Sequence, residues 1–264
     1  MNFNDVRQSV NETVSSKVSI PEKWGQGRAT FGGLVAAVMF EKIIPVVHED
    51  KKVRSIMVSF VAPVSPGEMD IKVSLLREGK SATQVQATAY QNNQVCAVVL
   101  ASFGGDRESS VSVTPELGPD MTSPDNVQAF PFIPNLTPDF TQYFDYRYAV
   151  GKMPFMGSEQ TEMGGWIKLR EVSEQRVTVA EILALLDAWP PAIFTMLKKP
   201  ASGSSLTWTI NFVNIPDDCT SSDWWQYQAD IQSSANGYSH IDSTLWDKNG
   251  KVAVSSLQTV SVFG

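Results

Sequence analysis

Val177-Thr-Val-Ala-Glu-Ile-Leu-Ala-Leu-Leu-Asp-Ala-Trp-Pro-Pro-Ala-Ile193 is the stretch on which the fold of this chain turns. From Val179 to Trp189 it is apolar on nearly every side, so a helix here is buried all round and not along one stripe. Thr178 with Glu181 three residues on forms a capping-box pattern that starts it. Pro190-Pro191 ends it, because proline lacks an amide hydrogen and restricts the residue before it. One carboxylate, Asp187, sits in this rod near its C-terminal end, where the helix dipole is negative. A buried carboxylate is costly unless it protonates or finds hydrogen-bond partners. The other reading is a helix-end residue that simply reaches solvent.

Outward from that helix, the composition is that of a globular protein. The 264 residues are 42% hydrophobic and 19% charged, enough for one large domain or two of about 130 residues, each with a core. The net charge of −7 and the absence of any basic run argue against nucleic acid or an anionic membrane as partner. Cys96 and Cys219 stand alone, as buried thiols of a reducing compartment do. No apolar run is long enough to span a membrane, and the first residues lack a secretory apolar segment, so a cytoplasmic protein is expected. His48 and His240 are the only histidines, each placed as a surface residue, and no metal-ligand spacing accompanies them. Neither a Gly-x-Ser-x-Gly elbow nor a glycine-rich nucleotide loop is present, so the chain is expected to work without metal or cofactor.

In chain order, Thr13–Ile20 alternates as a short strand and Pro21–Gly33 is a loop by its glycines. Leu34–Val47 is a second apolar helix. Strands are expected at Val53–Val61, Met69–Arg77, Thr83–Tyr90 and Val95–Phe103, the last two joined by a turn at Asn92-Asn93. Gly104–Phe140 carries six of the 15 prolines and little periodicity, which marks a connector between domains. Strands follow at Phe144–Val150 and Gly164–Leu169, and then the helix that opened this section. Ser205–Val213 alternates, with Leu206, Trp208, Ile210 and Phe212 on one face and Ser205, Thr207, Thr209 and Asn211 on the other. Trp224–Gln232, Ser239–Trp246 and Val252–Phe263 finish a second meander, with a turn at Asp247–Gly250.

The two halves have the same element order, and their sequences superpose. Thr30–Met39 falls on Thr178–Asp187, Phe60 on Phe212, Asn92–Val95 on Asn249–Val252 and Leu100 on Leu257. An internal duplication is the economical explanation. An all-round buried helix followed by an antiparallel sheet means a sheet curled round the helix, which is the hotdog arrangement. The expected fold is therefore α+β, a double hotdog with units at 1–104 and 141–264, a connector at 105–140, and the two sheets paired edge to edge.

Several stretches carry a resemblance to the acyl-CoA thioesterase II-like (TesB-like) double-hotdog family. They are Arg28-Ala-Thr-Phe-Gly-Gly-Leu-Val-Ala-Ala37, Arg77-Glu-Gly-Lys-Ser81 with Ala89-Tyr-Gln-Asn-Asn93, Leu100-Ala-Ser-Phe-Gly104, and Gly250-Lys-Val-Ala-Val-Ser-Ser-Leu-Gln258. The resemblance implies a catalytic Asp on the second helix, a Ser or Thr at the next strand and a Gln on the last strand, which by position are Asp187, Ser205 and Gln258. It also implies an acyl-CoA substrate, a hydrolase of lipid metabolism and a homodimer or larger homo-oligomer. Where the family has an Asp-His pair after the hydroxyl residue, this chain has Thr207-Trp208. Thr207 is the alternative source of the hydroxyl. Under the superposition of the halves, Asp187 lies opposite Met39, Gln258 opposite Ala101 and Ser205 opposite Val53, all apolar, as expected if one site per chain is retained.

Thioester hydrolysis needs a positioned, partly deprotonated water and donors for the developing oxyanion. Asp187 suits the first task, with Ser205 and Gln258 as hydrogen-bonding partners. Backbone N–H groups at Gly32-Gly33 suit the second, since glycine permits close approach and a helix start favours negative charge. The competing expectation is a non-catalytic hotdog that binds an acyl thioester as a sensor or accessory subunit.

Overall fold

The computed structural model describes residues 1–12 and 15–263. Of the strand expected at Thr13–Ile20, Thr13 and Val14 lie outside the described residues, and β1 occupies Lys17–Ile20. Ahead of it is a helix that the sequence reading did not anticipate, α1 (Phe3–Glu12). It buries Phe3, Val6 and Val10, and Asn2 and Asp5 cap its start reciprocally, each backbone N–H donating to the other's side chain.

The loop that follows holds a two-residue ladder, β2 (Gly25–Gln26) against β3 (Ala29–Thr30). Then comes α2 (Gly32–Ile43). It begins two residues before the expected Leu34 and ends at Ile43, where Pro45 allows only a 3-10 turn over Ile44–Val46. The first meander is β4 (Lys52–Phe60), β5 (Gly67–Glu78), β6 (Ala82–Gln91) and β7 (Gln94–Gly104). Asn92 and Asn93 both take positive φ, 51° and 61°, as the two-residue β6–β7 hairpin requires.

The second half repeats the plan: β8 (Ala129–Phe130), β9 (Phe144–Val150), β10 (Glu162–Leu169), α3 (Val179–Asp187), β11 (Ser202–Phe212), β12 (Trp225–Ala235), β13 (Tyr238–Trp246) and β14 (Val252–Phe263). Asn236 and Gly237, at φ 54° and 80°, make the β12–β13 hairpin. Over residues 105–140 the only regular elements are β8 and two 3-10 turns, Pro124–Asn126 and the start of Asp139–Tyr143. Part of that stretch is pinned to the second half: Trp166 Nε1 donates to Thr122 O at 2.8 Å, and Gly118 N to Gly250 O at 2.9 Å.

All twelve longer or edge strands form one antiparallel sheet, in the order β1-β5-β6-β7-β4-β11-β14-β13-β12-β10-β9-β8. The halves meet where β4 pairs with β11, with Val58 opposite Trp208 and Ile56 opposite Ile210. This is the double hotdog: each half wraps its sheet round one apolar helix, and α2 packs on α3 inside. The two helices run antiparallel. Asp187 at the end of α3 lies against Gly32 and Gly33 at the start of α2, and at the opposite end Arg7 of α1 bridges Glu41 (3.4 Å) and Glu181 (3.3 Å).

The duplication is also written in the irregularities. The register of β4 slips between Val53 and Ser55, and that of β11 between Ser205 and Thr207, leaving Arg54 and Leu206 as extra residues. Cys96 and Ala253 are extra residues in β7 and β14 in the same way. The carbonyl of each accepts two N–H groups from the partner strand's end: Val61 and Ala62 on Cys96, Val213 and Asn214 on Ala253. Bulges bend strands and re-aim side chains, so matching bulges give both halves the same curl.

The β11 bulge corrects the alternation expected from sequence. Leu206 is turned out, at 37% exposure. Ser205, opposite Val260, therefore faces inward with Trp208, Ile210 and Phe212, and Thr207 joins the outer face. One inserted residue exchanges the faces on either side of it.

Candidate active site

Asp187 is the last residue of α3, held there by the capping box at the helix's other end. Thr178 Oγ1 accepts from Glu181 N at 3.3 Å, and Glu181 Oε2 accepts from Thr178 N at 2.8 Å. The helix carries Asp187 into the seam between the halves. There Gln258 Nε2 donates to Asp187 Oδ1 at 3.1 Å and to Ser205 Oγ at 2.8 Å. An amide nitrogen has two hydrogens, so one side chain serves both partners. Gln258 reaches them because it sits on the inner face of β14, paired with Trp208 of β11 and Ile241 of β13. Asp187, Ser205 and Gln258 thus form one hydrogen-bonded cluster.

Burial pushes the Asp187 carboxyl up to about 7, with hydrogen bonds from Gln258 and from the Gly33 backbone pulling the other way. Removing water disfavours the charged form, while donors aimed at the carboxylate favour it. The residue is half-buried at its helix end.

Gly32 and Gly33 lie against Asp187 for steric as well as electrostatic reasons. A Cβ on Gly32 would stand 2.9 Å from Asp187 Oδ2, and one on Gly33 would stand 2.4 Å from the Phe31 ring and 3.1 Å from Asp187 Cβ. Only glycine lets the start of α2 approach this closely. The Gly33 backbone favours the ionised Asp187 carboxyl, and the amides of Gly32 and Gly33, in the first turn of α2, have no intrahelical partner. Thr207 is not brought to the cluster. It is exposed on the outer face, paired with Ser59 and Thr259.

The position related to this site by the duplication has been filled. Met39, Val53 and Ala101 are all buried there. Glu181 takes the place of Gly33 under the superposition, and its carboxylate is fully engaged by Thr178, Ser221 (2.7 Å) and Arg7. Helix α1 supplies Arg7 and so closes over that end.

From sequence, Trp189 is one of six tryptophans crowding the second half, mostly core with some available to line an acyl pocket; the aromatic cluster it joins beside Asp187 is not visible there. Trp189 stacks on Tyr227 at 5.0 Å and meets Tyr148 at 4.9 Å and Tyr146 at 5.7 Å edge to face. Tyr146 Oη donates to Ala188 O at 3.1 Å, and the charge of Asp187 is felt by both Tyr146 and Tyr227. The period-two run Phe144, Tyr146, Tyr148 was the signal that one face of β9 is aromatic. His48 and His240 lie at the surface, bonded to Asp50 and Thr259, and among the described residues no group of acidic, His and Cys side chains is arranged to hold a metal. Among them, too, no helix is long and apolar enough to cross a membrane.

Two domain models match the sequence. Residues 20–104 match the acyl-CoA thioesterase N-terminal domain, and residues 124–262 the acyl-CoA thioesterase C-terminal domain. Solved structures similar to this one include a hotdog-fold protein of unknown function from Alicyclobacillus acidocaldarius (TM-score 0.84, 21% identity, 94% of this chain and 92% of that one). Others are a tesB protein of Mycobacterium avium subspecies paratuberculosis (0.79, 16%, all of both chains) and the acyl-CoA thioesterase II TesB2 of Mycobacterium marinum (0.73, 15%, 98% of each). At these identities the structures show the shared fold. No curated protein matches the sequence at a significant level.

Proposed function

Because this chain belongs to the acyl-CoA thioesterase family of TesB-like double hotdogs, and is a thioester hydrolase, we propose that Asp187 activates the hydrolytic water, with Gln258 and Ser205 as its partners. The observation that carries this is the Gln258 amide, which ties Asp187 to Ser205 at 3.1 and 2.8 Å. A carboxyl with its pKa near 7 is a better base than a free one and is still largely ionised just above neutrality.

The water, held by Asp187, attacks the thioester carbonyl carbon as its proton passes to the carboxylate. Negative charge gathers on the carbonyl oxygen. Ser205, whose oxygen already accepts from Gln258, turns its hydrogen toward that oxygen, and the Gly32 N–H at the positive end of α2 is the second donor. The intermediate collapses by expelling the coenzyme A thiolate. A thiol of pKa about 8.5 leaves without a strong acid, and the proton on Asp187 is available to it. The domain division at 1–104, 105–140 and 141–264 fits this reading, since every catalytic side chain comes from the last unit and only the Gly32-Gly33 backbone from the first.

The test is release of free thiol from a panel of acyl-CoAs by the wild-type protein and Asp187→Ala. Turnover that depends on Asp187 supports the reading. Absence of turnover on every acyl-CoA favours the non-catalytic hotdog, and undiminished turnover in the variant removes Asp187 from the mechanism.

A further inference from the structure

Trp189 follows Asp187 by two residues and is 5% exposed, and its indole Nε1–H has no hydrogen-bond partner among the described residues. Other tryptophans spend theirs on backbone: Trp24 on Met1 O, Trp166 on Thr122 O and Trp225 on Thr220 O. Trp246 shares the unpartnered state, but it lies under Gly118 of the connector, on the other face of the sheet from the Asp187 cluster. A buried donor left without an acceptor is costly, so its retention beside a catalytic site points to a ligand atom.

The surroundings say what kind. Tyr227 covers one face of the Trp189 ring with planes 6° apart, and Tyr148 and Tyr146 stand at 70° and 89° to it. These are rigid planar walls, which favour a planar ring in offset or edge contact. Tyr148 also borders an open cleft of about 750 Å³ with Phe130, Met153 and Met156, so one ring of the cluster is reached from the surface. A saturated chain lying here would leave the indole N–H unpaired and displace any water that serves it.

We propose that this cluster is the acyl subsite and that it takes an aromatic acyl group bearing an oxygen, which accepts the Trp189 indole N–H. The inference rests on the thioesterase reading above. A site built to hydrogen-bond a substrate hydroxyl discriminates strongly against the analogue that lacks it.

The experiment compares kcat/KM for 4-hydroxyphenylacetyl-CoA and phenylacetyl-CoA, with saturated acyl-CoAs of four to sixteen carbons as reference, in the wild-type protein and Trp189→Phe. The wild type is expected to prefer the aromatic pair to the saturated series and the hydroxylated member by roughly tenfold. In Trp189→Phe the hydroxylated-to-plain ratio falls to about one. A packing defect alone would lower both values and keep the ratio, which overturns the proposal. So does a donor served by water only, which leaves the ratio unchanged. Because Trp189→Phe removes buried volume, a second measurement uses 15N-labelled wild-type protein titrated with 4-hydroxyphenylacetate and phenylacetate. Only the first is expected to shift the Trp189 indole resonance, and equal response to both overturns the assignment. Asp187-dependent hydrolysis of saturated acyl-CoAs with no aromatic preference rejects the subsite and keeps the thioesterase mechanism. No hydrolysis of any thioester rejects both.

Discussion

Gln258 donates to Asp187 Oδ1 at 3.1 Å across 71 residues of chain, and the same nitrogen donates to Ser205 at 2.8 Å. The amide therefore does two things at once: it stabilises the ionised carboxylate and fixes which lone pairs of the serine are taken. Replacing it by the similarly sized Gln258→Leu removes both bonds with little change in volume. The expected result is a fall in kcat of about 10²-fold, together with an upward move of the apparent pKa of activity, because the bond from Gln258 lowers that of Asp187. Steady-state rates from pH 5.5 to 9 measure both.

In the wild type, kcat/KM should rise with pH and level off, with a midpoint near the value of about 7 to which burial lifts Asp187. The base must be ionised, so the limb is ascending. A midpoint near 4 would mean a solvated carboxylate.

The same shift affects stability. The folded-state pKa of Asp187 is raised above the unfolded value of 3.8, so between about pH 4 and 7 the native state binds more protons and stability falls as pH rises. Above pH 7 the cost is fully present. Asp187→Asn lacks it, and is expected to be more stable than wild type by about 2–4 kcal/mol at pH 8, with the gap closing toward pH 4. Urea unfolding at both pH values checks this.

Ser205 and Thr207 are separated by the bulged Leu206 and lie on opposite faces of β11. Ser205→Ala is expected to lower kcat by about 10–100-fold, in line with loss of one oxyanion donor and one fixed hydrogen bond. Thr207→Ala should stay within about twofold, since exposed substitutions away from a site have small effects. Equal losses would contradict the face assignment.

Gly33→Ala puts a methyl 2.4 Å from the Phe31 ring and 3.1 Å from Asp187 Cβ. Phe31 is stacked on Phe140 at 4.1 Å and edge-on to Phe144 at 5.9 Å, so it has little room to yield. A destabilisation of about 1–3 kcal/mol is expected, with a loss of activity that outlasts restoration of the fold at low temperature. Denaturant titration and residual rate at 10 °C separate the two.

Much of this architecture was legible because it is local. The all-round apolar segments announced α2 and α3, Thr178 and Glu181 announced a cap, and Asn92-Asn93 announced a hairpin. The family resemblance pointed to Asp187, Ser205 and Gln258, and the superposition of halves set all three opposite apolar residues of the first copy. What escaped depends on phase or on distance. A bulge adds one residue without changing composition, so Leu206 cannot be told from an ordinary strand residue, and Ser205 was assigned to the same face as Thr207. Helix α1 carries just Phe3, Val6 and Val10 on its apolar face, too sparse a stripe among polar neighbours to stand out. The aromatic cluster draws Tyr148, Trp189 and Tyr227 from three separate elements, and nothing in sequence spacing joins them.

In the proposed mechanism the Asp187 carboxylate activates the water. Asp187→Asn tests it most directly, because the amide keeps the volume beside Gly32 and Gly33 while removing the base. The kcat of this variant on a saturating acyl-CoA at pH 8, with its thermal unfolding measured in parallel, is predicted to fall by about 10³-fold or more while the unfolding temperature holds or rises. A variant that keeps a rate within tenfold of wild type would contradict the account.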